Sequence, residues 1–239
     1  MAKPSHDLHT REHVHKLALS GLEFATWYDK ARGEIETVCT FEEWNVSRFS
    51  DTLAILSPRV AVRRNVRATL AYVGQNVHFP TTMRNVRTSL RTYENTGIIG
   101  GNKVPFFARA LRGDRQAITL DTWMAYALQN VETPSIKLFS RKATFASACK
   151  LVQSVSGMLG LCPRDTQATI WAGTFRQTGR IPPFYPILEE YERWLAYDRE
   201  FPLSGVIGKP EQDEITGSEW IETVLADDST DFQFGGNQF

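Results

Sequence analysis

Seven arginines and no carboxylate lie between Asp51 and Glu94: Arg59, Arg63, Arg64, Arg67, Arg84, Arg87 and Arg91. Arg63 and Arg67 stand four apart, as do Arg87 and Arg91, so on helices each pair shares a face. Planar guanidinium groups suit phosphate oxygens, and two basic helix faces would form a phosphate track. Directly after the arginines comes the turn Gly97-Ile98-Ile99-Gly100-Gly101-Asn102, followed by Lys103. A helix opening at Lys103 would present unsatisfied N–H groups to an anion, and Gly100 and Gly101 would let a DNA backbone approach closely. Eighteen positions beyond Lys103, Asp121 precedes Thr122-Trp123-Met124, in the place of a helix N-cap.

The net charge of zero over 239 residues hides an asymmetry. From Leu203 to Phe239 there are eight acids and one base, which leaves the first 202 residues with a net charge of +7. Nineteen of the 27 basic residues are arginine. An arginine-rich body with an acidic tail points to nucleic acid as partner. Cys39, Cys149 and Cys162 are too few and too scattered for a disulfide framework or a four-cysteine metal site. No apolar run approaches the roughly 18 residues of a membrane span, and the polar N-terminus lacks a signal-peptide core. The expectation is a monomer without cofactor or metal, in the cytoplasm and associated with DNA.

The elements that must hold these residues read as helices. Apolar positions at helical spacing run from Arg11 to about Val38, from Phe41 to Ser57 and from Val60 to Val73. His78 to Thr82 reads as a turn and cap, followed by a helix from Met83 to Tyr93. Further helices are expected at Lys103 to Leu111, Thr122 to Gln129, Phe139 to Leu159, Asp165 to Thr174 and Tyr185 to Asp198, with Gln116 to Leu120 an extended connector. Hairpin signals for strands are missing. The reading is an all-α domain over residues 1–202 and an acidic, loose tail over 203–239, with one short helix near Ser218 to Leu225.

In this order, Gly100-Gly101-Asn102-Lys103-Val104, a helix and Leu120-Asp121-Thr122 resemble the core of the helix-hairpin-helix DNA glycosylases, the superfamily of endonuclease III and 8-oxoguanine DNA glycosylase. That family places a Gly-x-Gly-x-Lys hairpin before a helix and then a Val-Asp-Thr-His-like segment. The separation of Lys103 from Asp121 matches the endonuclease III type. Leu56-Ser57-Pro58-Arg59 resembles the family's Leu-Ser-x-Gln segment, and with Asn65 it is similar to small glycosylase-related proteins of phage and defence regions. The likeness spans about residues 50–130, with the hairpin motif at about 90–112. Ile99 stands where the first hairpin glycine would be, Trp123 replaces the histidine after the aspartate, and the iron–sulfur cysteines are absent.

The resemblance implies a helical bundle that excises a modified base, including a bulky base of phage DNA, from double-stranded DNA and leaves an abasic site. Asp121 would stabilise the positive charge that builds on the sugar, and Lys103 would attack C1′ as an amine and add AP-lyase activity. Arg59 would fill the gap left by the flipped base. Trp123, Phe107 and Trp44 would line the base pocket. A glycosylase-related transferase acting on phage DNA, and a DNA-binding module without chemistry, stay open at this point.

Overall fold

The computed structural model describes residues 8–58, 60–75 and 83–197. These residues contain ten α-helices and no strand beyond one isolated bridge between Leu8 and Gln129. The expected all-α class holds. Arg59, the turn expected at His78 to Thr82, and the acidic tail with the short helix expected near Ser218 to Leu225 lie outside the described residues.

The helices are α1 (Arg11–Ser20), α2 (Trp27–Phe41), α3 (Val46–Leu56), α4 (Val62–Gln75), α5 (Arg84–Thr96), α6 (Val104–Leu111), α7 (Thr122–Leu128), α8 (Lys142–Leu159), α9 (Pro163–Gln177) and α10 (Ile187–Ala196). Their ends follow local chemistry. Thr10 caps α1 by accepting from His13 N, and Asn45 caps α3 by accepting from Arg48 N. Pro163 opens α9, where a missing N–H costs nothing.

The stretch from Arg11 to Val38, read as one helical run, is two helices. It breaks at Gly21, where a short 3-10 turn (Leu22–Phe24) intervenes. The reason is a backbone crossing that periodicity does not reveal. A Cβ on Gly21 would meet Thr169 O at 2.3 Å, and one on Gly173 would meet Leu17 O at 1.9 Å. Only glycines let α1 and α9 approach this closely.

Burial divides the helices into two main clusters. Trp27, Tyr28, Ile35, Phe49, Leu53, Leu70, Phe107, Leu111, Tyr185 and Trp194 join α2, α3, α4, α6 and α10. Val14, Leu17, Leu120, Met124, Leu128, Val152 and Ile170 join α1, α7, α8 and α9. A smaller cluster around Ile55, Leu56, Tyr72, Val86 and Leu90 fastens α5 to α3 and α4. The chain passes from the first cluster to the second through the connector between α6 and α7. Arg164 N bonds to Arg115 O on that connector. The buried Arg164 side chain reaches Asp165 at 2.8 Å and Asp29 of α2 at 2.6 Å. Lys103, just ahead of α6, and Asp121, just ahead of α7, therefore bracket the crossing between the two clusters.

No single described helix is long and apolar enough to cross a membrane. The bent pair α8 and α9 passes on length and composition alone, at an angle of 96°, but most of α9 is buried in the bundle.

Candidate active site

The turn before Lys103 is built on two left-handed glycines. Gly97 ends α5 at φ +68°, its N–H bonding to Tyr93 O at 2.7 Å, and Gly101 sits at φ +91°. An L side chain there would cost about 1–2 kcal/mol. A Cβ at Gly100 or Gly101 would meet nothing within 4 Å, and both residues are exposed, so a partner backbone can reach this surface. The turn is anchored from below by the buried Asp51 of α3. Its Oδ2 accepts from Tyr93 Oη of α5 at 3.0 Å and from Arg112, just past α6, at 3.2 Å. One carboxylate thus holds the elements on both sides of the turn.

Asp121 caps α7: its Oδ1 accepts from Met124 N at 2.9 Å. The residue is only partly covered from solvent yet lies deep in the molecule. Burial pushes its carboxyl above the ordinary carboxylate range, while the positive charge of Lys103 and the N–H groups of the cap pull it down. Lys103 and Asp121, eighteen positions apart in sequence, are thus close enough to interact electrostatically. The Lys103 ammonium also lies 5.9 Å from the centroid of the Phe107 ring.

Two tyrosines share the negative field of Asp121. Burial raises the Tyr28 hydroxyl, and Asp121 raises it further. Burial likewise pushes the Tyr185 hydroxyl up to about 12, again with a contribution from Asp121. Tyr28 Oη donates to Gln167 Oε1 at 2.7 Å, with the Thr119 hydroxyl 3.2 Å away. Asn65 Nδ2 donates to Tyr185 Oη at 3.2 Å and to Leu53 O at 3.1 Å. Trp27 packs edge-on against both tyrosines. Tyr28 with Gln167, and Tyr185 with Asn65, thus lie within the field of Asp121, and both hydrogen-bonded pairs join residues far apart in sequence.

The other residues singled out by sequence fall in different places. Phe107 is buried and lies beside Lys103 and Tyr28, so it belongs to the constellation. Trp123 is buried, but it packs on Phe175 and Tyr126 and serves the α7–α9 contact. Trp44 packs on Phe49 and Trp194, where α3 meets α10, and no contact brings it to Lys103 or Asp121. Tyr28, Gln167 and Tyr185 were not among the expected site residues. Each reaches the site across 91 to 139 positions of chain, a pairing that spacing does not encode.

The arginine track is half occupied. Arg63 makes a bidentate contact to Glu189 at 2.7 and 2.8 Å and also reaches Glu190 at 2.7 Å. Arg67 meets Glu190 at 2.5 Å. Glu190 itself is fully buried. The acid-free segment of the sequence is therefore not acid-free in space, because α10 returns two carboxylates to the basic face of α4. On α5 the basic face is open. Arg84, Arg87 and Arg91 are exposed and make no ion pair among the described residues.

Among the described residues no group of three or more His, Cys, Asp and Glu side chains is arranged to hold a metal. A surface groove of about 370 Å³ lies elsewhere, between α1 and α9, lined by His13, Lys16, Ser20, Arg176 and their neighbours.

No curated protein matches the chain, and no solved structure does. A family profile does match, over residues 20–178, a span that contains Lys103, Asp121, Tyr28, Asn65 and Gln167 but ends before Tyr185 and α10. The chain belongs to DUF7178, a family of unknown function.

Proposed function

We propose that the protein is a DNA N-glycosylase that takes a modified base out of duplex DNA and cleaves its bond to the sugar, with Lys103 as nucleophile and Asp121 as the carboxylate that stabilises the sugar cation. The observation that carries this reading is the placement of Lys103 and Asp121 at two helix starts, each within the other's electrostatic field. An amine and a carboxylate from two helix starts interact at the crossing between two hydrophobic clusters, beside an exposed glycine turn. The resemblance to helix-hairpin-helix glycosylases gives both residues their roles.

In the step proposed, the Lys103 ammonium first gives a proton to water, and the amine so formed makes a bond to C1′ as the C1′–N bond to the base breaks. The bonding pair leaves with the base, which takes the proton that the Lys103 nitrogen sheds. Ionised Asp121 offsets the positive charge on the sugar during this exchange. The Lys103 nitrogen pair then expels O4′, which takes a proton from water. The resulting iminium is the species that leads to strand cleavage.

The DNA-binding face consists of the glycine turn and the open arginines of α5. Arg87→Ala and Arg91→Ala are each expected to flatten the dependence of log affinity on log salt by about one unit. Arg63→Ala and Arg67→Ala should leave that slope nearly unchanged, because Glu189 and Glu190 already neutralise both arginines. Removing residues 203–239 should strengthen binding at low salt if the acidic tail competes with phosphate. Titrations of a fluorescent duplex at several salt concentrations check all three statements.

The reading is tested by incubating the full chain with a panel of genomic DNAs carrying different modified bases and weighing what is released. Free modified base and a matching abasic site are expected from at least one DNA. An altered base retained in the strand would indicate a transferase. Tight binding with no product from any of the DNAs would indicate a module without chemistry.

A further inference from the structure

Tyr28 and Tyr185 face the same carboxylate but differ in what their hydroxyls have to spend. A phenol has one proton to donate. Tyr28 commits its proton to Gln167 Oε1 at 2.7 Å. Tyr185 receives a hydrogen bond from Asn65 Nδ2 and donates to no described group. Asn65 is fully buried, and its other amide N–H is held by Leu53 O, so its orientation is fixed from behind. The hydroxyl of Tyr185 is thereby turned into a donor without an acceptor within the field of Asp121, and its ring lies 6.1 Å from that of Phe107, the ring that the Lys103 ammonium approaches to 5.9 Å. A buried donor left without a partner is costly unless a ligand supplies one.

We propose, on the footing of the glycosylase reading, that Tyr185 donates this hydrogen bond to the departing base, and that Asn65 is the residue that positions it. When the C1′–N bond breaks, its electron pair is delocalised over the base, and a base oxygen or ring nitrogen becomes a stronger acceptor. A hydrogen bond from Tyr185 to that atom strengthens as the bond breaks, so it favours the transition state over the bound ground state. The proton stays on the Tyr185 oxygen. Its raised affinity for the proton makes it a hydrogen-bond donor rather than an acid. The base takes its proton from the Lys103 nitrogen, as in the step above. The substrate class follows: bases that carry a carbonyl oxygen or an unprotonated ring nitrogen able to hold negative charge.

The test compares Tyr185→Phe with the wild-type full chain in two reactions. The first is release of base from the genomic DNA on which the wild type acts. The second is borohydride trapping of Lys103 on a duplex with a preformed abasic site, where no base has to leave. Tyr185→Phe should release base about a hundredfold more slowly and trap on the abasic duplex at the wild-type level. Unchanged release by the variant would overturn the role of Tyr185 while leaving the glycosylase reading intact. Equal losses in both reactions would make Tyr185 a merely structural residue and would also overturn it. No release by the wild type from any DNA would remove the glycosylase reading, and this inference with it.

Discussion

Asp121→Asn is expected to slow base release by about a thousandfold or more while folding as well as the wild type or better. The loss in rate follows from replacing an ionised carboxylate by a neutral amide opposite a developing cation, a contact whose value is realised in the transition state. Binding of intact DNA should survive, so the effect should appear in turnover rather than in affinity. The gain in stability has a separate origin. Asparagine caps a helix as well as aspartate does, so the bond to Met124 N is kept. Burial holds the Asp121 carboxyl above its ordinary range in the folded chain, so ionising it costs folding free energy. The folded protein then binds more protons than the unfolded one between the ordinary value and the raised one, and wild-type stability falls as pH rises through that window. The asparagine variant has no such proton to lose. Its advantage in urea unfolding should therefore be present at neutral pH and close as pH falls to the ordinary carboxylate value. Normal turnover in the variant would take Asp121 out of the chemistry.

Glu190→Ala is expected to destabilise the fold by about 3–5 kcal/mol, the usual cost of removing one partner from a buried ion pair. Glu190 is fully buried and holds Arg63 at 2.7 Å and Arg67 at 2.5 Å. Without it, Arg67, whose side chain is only 17% exposed, keeps its charge in a largely desolvated site. The neighbouring Glu189 makes the internal comparison. Its side chain is 44% exposed, and although it meets Arg63 in a bidentate contact, Glu189→Ala should cost about 1 kcal/mol or less. Urea midpoints for the two variants, measured side by side, check the contrast. A similar small loss in both would mean that α10 is fastened by its apolar face alone, through Ile187, Tyr191 and Trp194.

The elements that hold the site were legible because their signals are local. The helix after Lys103 announces itself through Pro105 in its first turn and apolar residues at Phe107, Ala108 and Leu111. Asp121 was legible as a cap from its place before an apolar run, and the cap is present. The spacing of Lys103 and Asp121 was informative because each opens a helix and one connector fixes their separation. The residues around them were not legible. Tyr28 reads as one more core aromatic and Tyr185 as a residue between prolines and a helix, and the contacts that define both come from distant parts of the chain. The same limit explains the arginine track. Charge counted along the chain between Asp51 and Glu94 is one-sided, but Glu189 and Glu190 arrive from more than 120 positions away and neutralise Arg63 and Arg67. Trp44, counted toward a base pocket from its residue type, packs against Phe49 and Trp194, a placement set by the course of α10 that spacing does not encode.

The measurement closest to the central claim is borohydride trapping on the DNA from which the wild type releases base. A nucleophilic Lys103 acting beside Asp121 passes through an iminium to C1′, and reduction turns that intermediate into a permanent link between protein and DNA. The wild type should yield one covalent adduct, mapped by peptide mass analysis to Lys103. Lys103→Gln should yield none, and Asp121→Asn only traces. An adduct that persists in Lys103→Gln, or base release by the wild type with no adduct at all, would contradict the assignment of Lys103 as the nucleophile.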